Sequence, residues 1–338
     1  MPRSVHRVRL DWPGREETKA VKAAELTSVC EGSDRAELVH GDNLLGLSAL
    51  TQRRKKASLI YFDPPFFTGR EHAQVERKRG KDGVIRKLVP AFDDRWESLQ
   101  AYLSELGARL TLARELLDSA GCLVLHVDPK TSHYAKVLCD EIFGHRSFAS
   151  EIIWRYRRWP AKTPNFQRVH DVLLRYVKDP DVTPTFNQLY EPLAASTEKT
   201  WGRSRQRAVV DAGGRRRRSS TTEELSPGAP LGDVWEISIV APVARERTGY
   251  PTQKPEALLE RLVLACTAPD DWVVDAYAGS GTTLAVSARL GRRCTGLDLN
   301  ADALAIAKTR LMAHGVTPSE SRVSEARART LTGRARVA

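Results

Sequence analysis

Short apolar blocks alternate with stretches of helical periodicity along two parts of this chain. AELVHGD (36–42) reads as a strand ending at Asp42, and NLLGLSAL (43–50) as a helical turn or two. ASLIYFD (57–63) is a second strand, ending at Asp63. After a polar stretch at 68–89 rich in Arg, Lys and Gly, a long helix is predicted over 96–118, stopping at Ser119-Ala120-Gly121. GCLVLHVD (121–128) is a buried strand, 132–144 a helix closed by Gly144, and EIIWRY (151–156) and DVLLRYV (171–177) two further strands. The alternation resumes at 255–267 (helix), DWVVDAYA (271–278, strand), 282–290 (helix stopped by Gly291), RCTGLDL (293–299, strand) and 301–315 (helix). Strands alternating with helices predict an α/β fold with a mostly parallel sheet covered on both faces.

The texture between the two parts differs. Residues 178–250 are rich in Pro, Thr, Ser and Arg, lack apolar periodicity and carry the run Arg215 to Arg218. The expected organisation is an N-terminal arm at 1–34, an α/β half at 35–177, an insert at 178–250, a second half at 251–314 and a basic tail at 315–338.

With 338 residues, 41% of them hydrophobic, the chain has enough material for one large α/β domain with an insert. A formal net charge of +11 favours a polyanionic partner. No apolar run approaches the ~20 residues of a membrane span, and the first residues contain no apolar leader segment, so nucleic acid is the expected partner and no membrane is. Cys30, Cys122, Cys139, Cys266 and Cys294 are scattered without a C-x-x-C pair, which fits reduced thiols in the cytoplasm. No His/Cys cluster has zinc-ligand spacing, so no metal is expected.

Candidate chemistry collects at strand ends, where open α/β sheets bind ligands. Asp42, Asp63, Asp275 and Asp298 each close a predicted strand. Any one of them alone reads as a helix N-cap or turn former; four together point to a ligand crevice. After Asp275 comes Ala276-Tyr277-Ala278-Gly279-Ser280-Gly281-Thr282-Thr283, a glycine turn between strand and helix in which Gly279 and Gly281 allow a tight bend and close approach of a ligand. Asp298 lies seventeen residues beyond Gly281, about where a ribose-binding carboxylate belongs. Leu284 stands in place of the third glycine of a dinucleotide fingerprint, and no Lys follows Gly281 as in a P-loop. The turn therefore suits a nucleoside ligand without a pyrophosphate, with S-adenosylmethionine the obvious candidate.

Asp63-Pro64-Pro65-Phe66 follows its strand directly. Two prolines fix φ and remove two donors, leaving carbonyls and the Asp63 carboxylate as acceptors beside the flat face of Phe66. Such a slot suits a flipped base bearing an amino group; a proline-stiffened turn with Phe66 in the core is the alternative.

These residues resemble the motifs of the DNA amino-methyltransferases of the N6-adenine/N4-cytosine family. Asp63-Pro64-Pro65-Phe66 is similar to their catalytic motif, DAYAGSGTT to their cofactor motif, and YPTQKPEALLERL (250–262) to the segment that precedes it. HGDNLLGLSAL, GCLVLHVD, DEIFG and HDVLLRYVK are similar to their connecting motifs, so the likeness runs from about 36 to 314. The catalytic motif precedes the cofactor motif, as in the β-class. The resemblance implies a permuted Rossmann-like fold with an inserted target-recognition region at 178–250. It also implies S-adenosylmethionine as cofactor and transfer to adenine N6 in double-stranded DNA by base flipping. The residues implied to bind the cofactor are Asp42, Asp63, Lys254, Asp275, Tyr277, Gly279, Ser280, Gly281, Thr282 and Asp298. Asp42 would meet the adenine edge, Lys254 the carboxylate and Asp298 the ribose. Phe66 departs from the more usual Tyr, Phe67 stands where Asn often follows, and Asp298 is shorter than the common Glu.

DNA contacts are expected from the insert and its neighbours. Eight basic residues against one acid lie between Lys199 and Arg218. Trp154-Arg155-Tyr156-Arg157-Arg158-Trp159 interleaves rings with guanidinium groups, a pattern suited to phosphates and unstacked bases. Arg155, Arg157, Arg158, Arg203, Arg205, Arg207, Arg215 and Arg216 are the expected contacts, against the alternative of solvated charged faces. N4-cytosine methylation is the nearest rival, although that group more often carries Ser before the two prolines. RNA or protein-glutamine methylation, and an inactive DNA-binding scaffold, are more distant alternatives. The family resemblance is compatible with a homodimer and with a restriction endonuclease on a separate polypeptide.

Overall fold

The computed structural model describes residues 9–12, 15, 21–80, 83–160, 162 and 164–326. The first part of the chain forms β1 (Ala24–Cys30), β2 (Ser33–His40), α1 (Asn43–Thr51) and β3 (Ala57–Phe62). A hairpin of β4 (Glu71–Gly80) and β5 (Gly83–Asp93) follows, then α2 (Leu99–Leu116), β6 (Leu117–Val127), α3 (Ser132–Phe143), β7 (Phe148–Arg155) and β8 (His170–Val177). The insert carries β9 (Tyr190–Glu191), α4 (Ala195–Trp201), β10 (Ser204–Val210), β11 (Arg216–Leu225), β12 (Ala229–Pro230) and β13 (Val234–Glu236). The last part supplies α5 (Glu256–Cys266), β14 (Trp272–Asp275), α6 (Thr282–Arg289), β15 (Arg293–Asp298), α7 (Ala301–Ala313) and β16 (Pro318–Glu325).

Among the described residues, ten strands form one sheet in the order β1-β16-β2-β15-β14-β3-β6-β8-β7-β13. Its centre, β2-β15-β14-β3-β6, is parallel throughout. The late strand β14 lies against the early strand β3, so the two halves of the chain interleave and their strand ends meet. This is the permuted, mostly parallel α/β architecture that the motif order implies.

Alternation along β3 explains why both faces are covered. Ile60 and Phe62 pack with Leu47 and Leu50 of α1, Leu110 of α2 and Leu138 of α3. Leu59 and Tyr61 point the other way, toward Leu258 and Leu262 of α5 and Val286 of α6. A third cluster seats Leu304 and Leu311 of α7 against Ala36 and Leu38 of β2. Each leucine buried to zero exposure, such as Leu47, Leu59 or Leu110, contributes at most about 2 kcal/mol, since the unfolded chain already hides part of that surface.

The expected arm and tail both hold strand. Residues 24–30 of the arm pair antiparallel with 318–325 of the tail, and the tail strand continues parallel onto β2. The burial pattern of β1 is nearly all exposed after Ala24, so no apolar alternation marks it; its ladder to a distant segment is what holds it extended. The insert is likewise not wholly separate, because β13 closes the edge of the main sheet on β7. Among the described residues no helix is long and apolar enough to cross a membrane.

Candidate functional site

A cavity of about 1710 Å³ opens over the carboxyl ends of β3, β14 and β15. Asp63 and Asp275 are brought side by side by the β3–β14 register, in which Asp275 stands opposite Tyr61. Asp42, Asp63, Pro64, Pro65, Phe66, Lys254, Asp275, Tyr277, Gly279, Ser280, Thr282 and Asp298 all line the cavity. Gly281, expected there too, does not. It is left-handed (φ 72°), and an added Cβ would lie 2.5 Å from Ala307 Cβ of α7. Its glycine is needed for helix packing and backbone conformation. Gly279 (φ 49°) does border the cavity, and a Cβ there would press on the Tyr250 ring at 3.2 Å.

Asp42 caps α1, its Oδ1 accepting from Leu44 N at 2.7 Å and Leu45 N at 3.3 Å. Arg109 approaches its other oxygen at 3.5 Å and donates to Asn43 Oδ1 at 2.6 Å; Asn43 in turn donates to the Ala276 carbonyl at 2.8 Å. Thus an ordinary N-cap also fixes the end of β14. Asp298 accepts from Gly279 N at 2.7 Å and Asn300 N at 2.8 Å. Burial raises its pKa, and these donors oppose the rise. Burial pushes the Asp275 carboxyl up to about 7 against donation from Thr283 and Tyr277. Burial likewise raises the Tyr277 hydroxyl to about 12. Tyr277 packs edge-on to Phe62 with ring centroids 5.5 Å apart.

These features fit the cofactor implied by the motifs. The cavity offers a left-handed glycine turn, a carboxylate at a ribose-like position and an apolar wall, which together suit an amino acid joined to a nucleoside.

The turn from Asp63 to Phe66 has two supports. Lys254, 191 residues away in sequence, forms an ion pair with Asp63 Oδ2 and sits 4.9 Å above the Phe66 ring centroid. It therefore meets the Asp63 carboxylate, whereas the resemblance placed it toward the cofactor's. Asp63 Oδ1 is buried and has no hydrogen-bond partner.

The second support is Asp94, which the sequence reading missed. At 1% exposure its carboxylate accepts from Phe66 N (3.2 Å), Phe67 N (2.8 Å), Thr68 N (2.8 Å), Thr68 Oγ1 (2.5 Å) and Trp96 Nε1 (3.2 Å). Three successive N–H groups converge because Phe67 is left-handed at φ 59°. In sequence, Asp93-Asp94-Arg95-Trp96 looks like a polar turn, and nothing local marks it.

Beneath the turn runs a buried polar chain. Tyr61 Oη lies 2.8 Å from His126 Nδ1, His126 Nε2 lies 3.3 Å from Asp171 Oδ2, and Tyr156 Oη donates to Asp171 Oδ1 at 3.0 Å. Burial works against ionisation of Asp171, yet these donors and Lys254 hold its pKa below the usual value. Burial, with Asp63, Asp275 and Asp171 nearby, drives the Tyr61 hydroxyl upward. His126 also packs 5.5 Å from the Phe66 ring and 5.6 Å from Trp154.

The interleaved aromatic–basic run is split by strand alternation. Trp154 and Tyr156 face the core at 3% and 5% exposure, while Arg155 and Arg157 face solvent. Of the expected DNA contacts, Arg158 lines the cavity. Arg155 pairs with Glu236, Arg203 with Glu198 and Arg205 with Glu224. Arg215 is exposed at the hairpin turn. The side chains of Arg207 and Arg216 lie outside the described residues. The structure brings Arg203, Arg205 and Arg215 to the β10–β11 hairpin rather than to the cavity.

Known proteins align with this geometry. Residues 57–309 match the DNA methylase family. The DNA adenine methyltransferase YhdJ of Escherichia coli K12 is 25% identical over 288 residues, covering 83% of this chain and 84% of that protein. The type II methyltransferase M2.DpnII of Streptococcus pneumoniae is 45% identical over 95 residues, covering 28% of this chain but only 35% of that protein. The solved structure of PvuII DNA methyltransferase (cytosine-N4-specific) superposes with a TM-score of 0.54 at 15% identity, covering 84% of this chain and 90% of that one. That likeness is one of fold. With the cofactor and catalytic turns both inside the matched span, the chain belongs to the N6/N4 DNA methylase family, whose methyl donor is S-adenosylmethionine.

Proposed function

We propose that this enzyme methylates the N6 amino group of adenine in double-stranded DNA, with the base extruded into the cavity. The observation that carries the reading is Asp63, which lines the cavity while one of its carboxylate oxygens, Oδ1, is buried and without a hydrogen-bond partner. A buried acceptor left unpaired is costly, and an exocyclic amino group would supply its donor. Lys254 engages the other oxygen, and His126 Nδ1 lies 3.8 Å from Oδ1, beyond hydrogen-bond distance.

An adenine amino nitrogen is a poor nucleophile because its lone pair is delocalised into the ring. Asp63 Oδ1 and the Pro64 carbonyl accept its two hydrogens and draw the nitrogen toward tetrahedral geometry. Phe66 stacks on the base, and Asp94 holds the turn so that acceptors and ring keep their spacing. S-adenosylmethionine supplies the electrophilic methyl when bound. Asp63 Oδ1 is then the nearest acceptor for the proton the methylated nitrogen must lose. The contribution of the chain is positioning and preorganised acceptors.

Adenine is favoured by Asp63, where cytosine-N4 members more often carry Ser, and by the similarity to an adenine methyltransferase over most of both chains. The test is to incubate the protein with unmethylated duplex DNA and labelled S-adenosylmethionine, digest the product and identify the labelled nucleoside. N6-methyladenine supports the reading. N4-methylcytosine overturns the choice of base, and no label in DNA from a protein that binds the cofactor overturns the substrate.

A further inference from the structure

Trp159 is 93% exposed and Phe166 is fully exposed, yet both stand on the rim of the catalytic cavity. Among the described residues the other exposed aromatic rings, Tyr134, Phe186 and Tyr190, keep about half or more of their surface covered. Rings so far out of the core contribute nothing to folding through burial, and water is a poor environment for them. Their presence calls for an occupant that covers them.

The surroundings define that occupant. Trp159 and Phe166 belong to one loop after β7, tied together where Gln167 Nε2 donates to the Trp159 carbonyl at 2.7 Å. Arg157, Arg158 and Lys162 are exposed on the same loop. Arg158 stacks 5.2 Å over the ring of the buried Tyr156. Tyr156 in turn bonds to the chain of polar groups under Phe66. Two unburied rings set among cations at the mouth of the cavity match a stacked polyanion.

We infer that Trp159 and Phe166 are wedges that enter the DNA stack at the target step and occupy the space left by the extruded base. Apolar side chains that insert between base steps lower the cost of unstacking by replacing lost contacts. This inference rests on the reading of duplex DNA as substrate with base extrusion. It adds the residues that hold the duplex open.

The test compares methyl transfer by the wild type, Trp159→Phe and the double variant Trp159→Ala/Phe166→Ala. The substrate is a duplex carrying the site mapped from the nucleoside experiment, either fully paired or with the target base mispaired. Mispairing lowers the cost of extrusion without altering the reacting atoms. The double variant should lose about 10- to 100-fold in kcat/KM on the paired duplex, the size of one lost base–aromatic stack. On the mispaired duplex it should stay within about threefold of the wild type, a difference too small to reflect a lost stack. Trp159→Phe, which keeps an aromatic face, should lose less than the double variant on the paired duplex, and melting temperatures should coincide because the rings are unburied. Equal activity of the double variant and wild type on the paired duplex overturns the wedge, and so does an equal loss on both duplexes. A wild type that binds S-adenosylmethionine but methylates no DNA overturns the substrate reading, and the wedge falls with it.

Discussion

Replacing Asp94 with Ala removes one carboxylate and strands five donors of the catalytic turn: three successive backbone N–H groups, the Thr68 hydroxyl and the Trp96 indole. Hydrogen bonds to a charged acceptor are worth about 1.5–3 kcal/mol each. They are not additive here, because all five share one partner and the adjacent cavity admits water to the vacated space. A loss of about 3–5 kcal/mol in stability is therefore expected, with about 1–2 kcal/mol for Asp94→Asn, which keeps one acceptor oxygen. The functional effect should be larger than the thermodynamic one. Phe67 is held at φ 59°, a conformation costing roughly 1–2 kcal/mol for a residue with a side chain. Once the carboxylate is gone, the turn is free to relax, and Phe66 and the Pro64 carbonyl shift with it. A displacement of about 1 Å at reacting groups costs on the order of 100-fold in rate. The assay is single-turnover methyl transfer by Asp94→Asn below its melting transition, with cofactor affinity measured by calorimetry. The expected result is a transfer rate reduced about 100-fold with the dissociation constant for S-adenosylmethionine changed less than about threefold. A folded variant that transfers methyl at the wild-type rate would refute the view that this carboxylate holds the catalytic turn in place.

Gly281→Ala should destabilise by about 2–4 kcal/mol, since it combines a left-handed residue with a Cβ 2.5 Å from Ala307 Cβ. The new Cβ would also lie 2.8 Å from Ala307 Cα, so trimming Ala307 cannot relieve the clash; a melting temperature within about 1 °C of the wild type would contradict the assignment. Asp275 has its folded-state pKa raised to about 7, so between about pH 4 and 7 the folded chain holds a proton that the unfolded chain has released. Stability from this group is present at low pH and lost as pH rises through that window, by at most about 4 kcal/mol. Asp275→Asn should therefore gain on the wild type in melting temperature as pH rises from about 4 to 7, and a pH-independent difference would contradict the assignment. DNA affinity should fall about 100-fold between about 50 and about 200 mM salt if about four phosphates are contacted, and a flat response in a filter-binding titration would remove the basic residues from the interface.

Much of this molecule is legible from local pattern, because the relevant physics is local. Parallel strands buried on both faces must be nearly continuous apolar runs, which is why 57–62 and 121–127 stand out. The glycine turn at 279–281 and the proline turn at 64–65 are visible because few residue types permit those backbone paths. Through the resemblance to the β-class, their order along the chain implies a permuted sheet.

What needed the folded chain is whatever depends on partners far apart in sequence or on the direction a side chain takes. The edge strand β1 and its neighbour β16 carry no apolar alternation, and each is held by a ladder formed across the length of the chain. Lys254 meets Asp63 across 191 residues because β14 inserts beside β3. Gly281 reads as a ligand-binding glycine until α7 is seen against it. Asp94 is one polar residue among several until the turn closes on it. The run from Trp154 to Trp159 looks uniform in sequence, but strand alternation sends Trp154 and Tyr156 into the core and the loop that follows leaves Trp159 in solvent. Residue type, spacing and motif order thus set the chemistry this chain is able to perform. Long-range pairing and the alternation of the pleat decide which residues line the cavity, because those contacts arise only once distant strands share one sheet.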